Sequence, residues 1–179
     1  MVYCPIALDL EKNKGMAKNY ILDQSTASRK LQRMAYEIVE NNLEEQEVLL
    51  VGIRDNGCVI AENIQQLLQQ ISSIRSELIY LSLDKRMPGE IRLSQQIDFN
   101  NKVIIIIDDV ANSGKTMLYA LKPFLAFHPK KIQTLVMVER THKAFPVNSD
   151  YVGLSVATTL QEHIYVEVDG SVVTGAWME

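Results

Sequence analysis

Asp108 and Asp109 stand next to each other, directly after five branched apolar residues (103–107). An apolar run of this length predicts a buried strand of a parallel sheet. Ionised carboxylates only accept hydrogen bonds, which suits hydroxyl donors such as a ribose diol. A turn of small and polar residues follows and opens a predicted helix: Ala111, Asn112, Ser113, Gly114, Lys115 and Thr116. Backbone N–H groups at such a turn bind phosphate, so the stretch predicts a site for a phosphorylated sugar.

Two other interpretations compete with this one. The run from Ser113 to Thr116 also resembles the end of a P-loop, which requires a glycine five positions before Gly114. Asp109 occupies that position, and its charge would repel nucleotide phosphates, so we disfavour a nucleoside triphosphatase. Alternatively, acids at a strand end can simply cap the next helix or face solvent. The glycine-bearing turn at this spacing favours a ligand site.

The elements that must position these residues follow from length, charge and hydrophobic periodicity. The chain has 179 residues and a net charge of −4, which suits one α/β domain over residues 1–179 and argues against a non-specific nucleic-acid coat. Alternating strands and helices predict a parallel twisted sheet flanked by helices, with a small hood from the terminal segments. The predicted strands are 47–53, 78–83, 103–107, 132–138, 151–156, 163–168 and 172–177, and the predicted helices are 23–42, 57–71 and 114–127.

Ligands of such sheets bind at the carboxyl ends of the strands. The site should therefore gather residues 54–57, 85–92 and 108–116, together with the segment after residue 138. The connection 84–96 is polar and should be long and mobile.

The stretch 103–116 resembles the phosphoribosyl-pyrophosphate signature of the type I phosphoribosyltransferases. The resemblance implies that Asp108 and Asp109 bind the ribose hydroxyls and that residues 111–116 wrap the 5′-phosphate. It also implies magnesium, bound mainly through the substrate, and the fold of that family. The expected activity is phosphoribosyl transfer to a nucleobase.

A second match concerns the turn that holds pyrophosphate. Residues 48–57 resemble the strand and turn of the same family, which implies pyrophosphate-binding roles for Arg54, Asp55, Asn56 and Gly57. The family usually has a second basic residue where this chain has Asn56. One cation fewer should weaken pyrophosphate binding, or Lys85 and Arg86 should bind pyrophosphate instead. These two residues are expected to close over the site as catalytic residues. The connection 84–96 resembles the family's lid in position but is short, which keeps an inactive homologue open as an alternative.

Further short matches, over most of the chain, are to the branch of this family that makes UMP from uracil and regulates pyrimidine operons. In that branch an aromatic ring stacks on the base and the next residue reads its edge, which here implies Tyr151 and Val152. Tyr151 is as readily interpreted as a core aromatic. Purine-salvage members carry an aspartate where this chain has Asn112, and an amide cannot take up a proton at neutral pH. Uracil is therefore the expected base, with a purine-type enzyme as an alternative.

The same branch implies RNA as a partner. Its RNA-binding histidine and lysine correspond here to Tyr36 and Leu154, and their loss weakens the electrostatic part of RNA affinity. Six cations could still form a basic face: Arg29, Lys30, Arg33, Arg140, His142 and Lys143. We therefore expect an enzyme rather than a nucleotide-sensing RNA regulator. Two cysteines and no window of membrane-spanning length predict a cytoplasmic protein without a membrane partner, and the family implies a homodimer or larger homo-oligomer.

Overall fold

The computed structural model describes residues 18–158 and 162–179. Its strands are β1 Asn19–Asp23, β2 Glu47–Ile53, β3 Arg75–Leu83, β4 Ile91–Leu93, β5 Val103–Ala111, β6 Lys131–Arg140, β7 Tyr151–Val156, β8 Ile164–Asp169 and β9 Val172–Met178. Its helices are α1 Gln24–Asn41, α2 Asn56–Ile71 and α3 Lys115–Ala120, and a 3-10 helix spans Lys122–Ala126.

The described residues form two sheets. The larger has six strands in the order β4-β3-β2-β5-β6-β7. Its strands run parallel except for β4, which pairs antiparallel with β3 at one edge. The smaller is an antiparallel sheet in the order β1-β9-β8, and we call it the hood. The predicted α/β fold, a largely parallel sheet flanked by helices, is confirmed.

Helices on both faces explain why β5 is apolar without interruption. Val103, Ile105 and Ile107 pack into the core that also holds buried residues of α1, α2 and the hood. Ile104 and Ile106 point the other way, into a second core on the side of α3 and the 3-10 helix. Because successive side chains of a strand alternate between its faces, a strand covered on both sides needs apolar residues throughout.

The structure differs from the sequence-based elements in four main places, and one of them is strand β1, which was not predicted. Strand β5 continues through both aspartates to Ala111, so the acids belong to the strand instead of following it. The predicted helix 114–127 divides into α3 and the 3-10 helix, where Pro123 lies near the start and lacks a backbone donor. The predicted loop 84–96 contains the edge strand β4. Among the described residues, no helix is long and apolar enough to cross a membrane.

Candidate active site

Asp108, Asp109 and Lys85 form a charged cluster at the carboxyl end of the parallel sheet. The Lys85 ammonium lies 3.2 Å from Asp108 Oδ1 and 3.5 Å from Asp109 Oδ1. The Asp108 side chain is only 2% exposed and that of Asp109 16%. Lys85 follows β3, in a turn closed by the Asp84 carboxylate, which accepts the backbone N–H of Arg86 at 2.8 Å. Strands β5 and β3 therefore bring together two acids and one base that are 23 residues apart in sequence.

Burial and the Lys85 charge act in opposite directions on these carboxyl groups. Burial raises the pKa of Asp108 to about 7, although Lys85 favours its ionised form. For Asp109, burial is outweighed by Lys85 and by hydrogen bonds to the carboxylate, so its pKa is lowered. Burial also opposes the charge of Lys85, but the two carboxylates outweigh it and raise the Lys85 pKa. Near neutral pH the cluster therefore offers one firmly ionised acceptor, Asp109, beside one that titrates.

Asn56 links this cluster to the hood. Its Nδ2 donates to Asp109 Oδ2 at 3.0 Å and to the Val166 carbonyl at 2.9 Å. Asn56 is the first residue of α2, directly after the turn that follows β2. One side chain therefore joins α2, the Asp109 carboxylate on β5 and strand β8.

The turn between β2 and α2 has an unusual backbone. Asp55 adopts φ 76° and ψ −130°, a conformation that is strained for a residue with a Cβ. Two residues later, a Cβ on Gly57 would lie 2.9 Å from the Ile107 carbonyl oxygen and 3.2 Å from Asp108 Cα. Glycine is therefore required for α2 to approach β5 this closely. Both features occur where the sequence predicts a pyrophosphate-binding turn.

The turn 111–116 is held from the far side by the segment after β6. Gly114 has φ 79°, and a Cβ there would lie 3.1 Å from the Phe145 carbonyl oxygen. The Ser113 carbonyl accepts the backbone N–H groups of Ala144 and Phe145 at 3.1 and 3.0 Å. The Lys115 backbone N–H donates to Ser113 Oγ at 3.3 Å, whereas the next N–H groups of α3 have no partners within the helix and could bind an anion. Since α3 has only six residues, these backbone donors matter more here than a helix dipole.

These elements surround a cavity of about 310 Å³. Its lining consists of Asn56, Lys85, residues 108–114, Thr116, Met117 and residues 164–166. The Oδ1 atom of Asn112 is buried and has no hydrogen-bond partner among the described residues. A buried acceptor without a partner is costly, so this atom points to a donor on a bound ligand.

Some predicted site residues are not brought to the cavity. The Lys115 ammonium is turned away from the phosphate turn and donates to the Arg86 carbonyl at 3.0 Å. Arg86, Arg54 and Asp55 are exposed and do not line the cavity. Lys115 therefore links the phosphate turn to the segment after β3, in contrast to the direct phosphate contact that the sequence suggested.

The predicted base-binding pair, Tyr151 and Val152, also lies elsewhere. Tyr151 is 1% exposed and packs in the core, and its hydroxyl lies 3.4 Å from Asn42 Nδ2. The Val152 carbonyl accepts Arg33 Nη2 at 2.5 Å. Tyr151 has no open ring face for a base, so its interpretation as a core aromatic is the correct one and the stacking role was wrong. The two aspartates, Asn56 and the residues of the turn 111–116 other than Lys115, by contrast, do meet at the cavity.

Sequence reasoning missed the part of the hood that covers the cavity. Ile164, Tyr165 and Val166 of β8 contribute to its wall, and so does Met117 from α3. The strand 163–168 was predicted, but its position over the site depends on pairing with β9 and on contacts with α2, which local patterns do not encode. Met117 directly follows the turn 111–116, so it could have been identified from the sequence as a neighbour of the site.

The chain was compared with known proteins. The sequence profile of the phosphoribosyl transferase domain matches residues 18–170. The pyrimidine operon regulatory protein of Lactococcus lactis subsp. lactis is 33% identical over 160 residues, which cover 86% of this chain and 91% of the relative. The bifunctional protein PyrR of Streptococcus equi subsp. zooepidemicus is 34% identical over 158 residues, with the same coverage of 86% and 91%.

Solved structures with the same fold include the hypoxanthine phosphoribosyltransferase of Trypanosoma cruzi, with a TM-score of 0.70 and 12% identity over 78% of this chain and 82% of that one. A hypoxanthine-guanine phosphoribosyltransferase from Bacillus anthracis has a TM-score of 0.66 and 16% identity, over 80% of this chain and 85% of that one. At this identity the two structures support the fold alone. With the profile spanning most of the chain and relatives above 30% identity, the chain belongs to the phosphoribosyltransferase family.

Proposed function

We propose that this protein transfers the phosphoribosyl group of phosphoribosyl pyrophosphate to a nucleobase, with uracil as the preferred acceptor and UMP as the product. The observation that carries the proposal is the pair of adjacent carboxylates, Asp108 and Asp109, which face a cavity whose other wall is a phosphate-type turn. Family membership supports the reaction class, and the carboxylates and the turn 111–116 at one cavity support binding of the ribose and its 5′-phosphate.

The donor is assigned to the site part by part. Asp108 and Asp109 accept the ribose hydroxyls, because ionised carboxylates are acceptors only. The backbone of the turn, with the Ser113 and Thr116 hydroxyls, binds the 5′-phosphate. The turn 54–57 and the start of α2 bind the diphosphate through backbone donors. Lys85 contacts the two carboxylates in the free protein and lines the cavity, so we assign it to the leaving diphosphate.

In the proposed reaction, a ring nitrogen of the base forms a bond to C1′ while the bond from C1′ to the diphosphate oxygen breaks. Diphosphate leaves with the bonding electron pair, and the proton of the ring nitrogen is released. Positive charge on the ribose at the transition state is stabilised by the neighbouring carboxylates. The protein contributes chiefly by positioning and electrostatics.

Magnesium fits this site through the substrate. The described part of the chain contains no group of three or more His, Cys, Asp or Glu residues able to hold a metal ion. Magnesium prefers oxygen ligands and usually keeps substrate phosphates among them. When bound with the donor, it would neutralise the charge of the leaving diphosphate.

Two observations favour a pyrimidine acceptor. Asn112 contributes a carboxamide oxygen without a partner in the described part of the chain, and this oxygen can accept an N–H of a ligand but cannot take up its proton. The Lactococcus relative at 33% identity is named a pyrimidine operon regulatory protein, whereas the hypoxanthine enzymes share only the fold.

The acceptor is tested by incubating the protein with phosphoribosyl pyrophosphate, magnesium and each common base in turn. Nucleotide products are separated by anion-exchange chromatography. We expect UMP to form with the highest kcat/KM. Preferential formation of a purine nucleotide would refute the uracil assignment. A folded protein that forms no nucleotide with any base would instead indicate an inactive homologue.

A second candidate is a nucleotide-sensing RNA-binding regulator, favoured by the printed name of the Lactococcus relative. The surface supports it less well. Four of the six candidate cations have partners within the chain: Arg29 with Thr26, Arg33 with Glu37 and Val152, Arg140 with Glu162, and Lys143 with Glu139. Filter binding to the pyrimidine leader RNA of the source organism, with and without UMP, separates the two functions. An affinity no higher than that for scrambled RNA would exclude the regulatory function.

A further inference from the structure

Helix α2 is fastened to the hood by two asparagines. Asn56 and Asn63 are seven residues apart, so they lie on the same face of the helix, almost two turns apart. Asn56 Nδ2 donates to the Val166 carbonyl at 2.9 Å, and Asn63 Nδ2 donates to the Ser171 carbonyl at 2.8 Å. Both acceptors belong to β8 or to the turn that follows it. The hood is thus held at two points along α2, one of them at the cavity.

The two asparagines differ in their second hydrogen bond. Asn63 Nδ2 donates to the Val59 carbonyl of its own helix at 2.8 Å. Asn56 Nδ2 donates instead to Asp109 Oδ2 at 3.0 Å. A carboxamide has two N–H donors, so Asn56 uses both, one on the carboxylate and one on the hood. Both asparagines therefore hold the hood against α2, but only Asn56 of the two also contacts the Asp109 carboxylate.

The Asp109 carboxylate is fixed from both sides. Its Oδ1 accepts the Val110 backbone N–H at 2.9 Å and lies 3.5 Å from the Lys85 ammonium. Its Oδ2 accepts Asn56 Nδ2, and the Asp108 side chain also favours the ionised carboxylate. If Lys85 moves when a donor binds, Asn56, Asp108 and the strand backbone remain beside this carboxylate, and Asn56 also contacts the hood.

We infer that Asn56 is a positioning residue: it orients Asp109 toward the ribose hydroxyls and couples that orientation to the position of the hood over the cavity. This inference rests on the proposed function, because it assigns the ribose to Asp109. It replaces the role of a diphosphate ligand that the neighbouring turn residues suggest for this side chain. A neutral amide can do this without a charge that would compete with Lys85 for the carboxylate.

The test compares Asn56→Ala with Asn63→Ala in the full chain. Hydrogen exchange of the β8 amides in the ligand-free protein reports on hood fastening, and both variants should increase it. Calorimetry of phosphoribosyl pyrophosphate binding, with magnesium and no acceptor, reports on the carboxylate. We expect Asn56→Ala to raise the Kd and KM of the donor about 10- to 100-fold, the value of a hydrogen bond to a charged group. Asn63→Ala should change them less than about threefold.

Asn56→Asp sharpens the test, because it preserves size while placing a second carboxylate about 3 Å from Asp109 Oδ2. It should weaken donor binding more than Asn56→Ala, with a smaller effect on kcat than on KM. Equal donor affinity in Asn56→Ala and Asn63→Ala would overturn the inference and leave only hood fastening. A wild type that binds the donor yet forms no nucleotide would refute the proposed function while leaving the inference standing. A wild type that does not bind the donor would refute both.

Discussion

Replacing Lys85 by methionine tests the charge balance on which the site depends. The substitution removes the ammonium that lies 3.2 Å from Asp108 Oδ1 and 3.5 Å from Asp109 Oδ1, while keeping an unbranched side chain. A unit charge pair at that distance is worth about 5 kcal/mol at an effective dielectric constant of ~20. The Lys85 side chain is 38% exposed, so solvent screens part of this energy. We expect the free energy of unfolding to fall by about 1–3 kcal/mol at pH 8.

The loss should depend on pH, and its sign follows from Asp108. The folded-state pKa of Asp108, about 7, lies above its unfolded value. The contribution of this group to stability is therefore complete below the unfolded pKa and decreases as pH rises toward 7. Lys85 limits that decrease because it favours the ionised carboxylate. Without Lys85 the pKa of Asp108 should rise further and the decrease should continue to higher pH.

Urea unfolding of wild type and Lys85→Met at pH 5 and pH 8 measures the effect. At pH 5 Asp108 is largely neutral while Asp109 stays ionised, so the difference should be smaller than at pH 8 but should not disappear. The double variant Lys85→Met/Asp108→Asn is the control, and it should recover most of the stability lost at pH 8. A loss of equal size at both pH values, or a double variant no more stable than Lys85→Met, would refute the reasoning.

Three further substitutions test the backbone and the core. Gly57→Ala places a Cβ 2.9 Å from a β5 carbonyl oxygen, so the free energy of unfolding in urea should fall by about 1–3 kcal/mol. Calorimetry should show weaker donor binding. Unchanged values would contradict the close approach of α2 to β5. Asp55→Gly removes a strained positive φ and should raise the free energy of unfolding by about 1 kcal/mol, and a decrease would mean that the aspartate contributes more than its strain costs. Tyr151→Phe should lower stability by about 1 kcal/mol and leave the KM for uracil unchanged, since the ring lies in the core; a large rise in KM would restore a role in base binding.

Features encoded by neighbouring residues could be predicted. The start of α1 is one, because Asp23 caps the helix through the Thr26 backbone N–H at 2.7 Å, three residues away. The apolar run of β5 is another, since a strand buried on both faces leaves a continuous apolar pattern. The acids follow the apolar run within β5, and the turn begins at the end of that strand, so their convergence at one cavity could also be anticipated.

Features that depend on long-range pairing could not be predicted. Asn56 reaches Asp109 across 53 residues and Val166 across 110, and no local pattern marks either contact. Tyr151 is the first residue of β7, and the resemblance at Tyr151 and Val152 implied base stacking. Its hydroxyl instead lies close to Asn42, 109 residues away. The packing of α1 against the sheet decides that the Tyr151 side chain lies in the core. The Lys115 side chain is long and exposed enough to choose between a phosphate and the Arg86 carbonyl, which a sequence cannot decide.

The central claim is phosphoribosyl transfer to uracil, and ³¹P NMR of one reaction mixture tests it most directly. The mixture contains the protein, magnesium and phosphoribosyl pyrophosphate, and the spectrum is followed before and after uracil is added. We predict that the donor signals persist until uracil is present and are then replaced by those of free diphosphate and UMP. Donor signals that remain unchanged with uracil, in a sample whose protein is folded, would contradict the account.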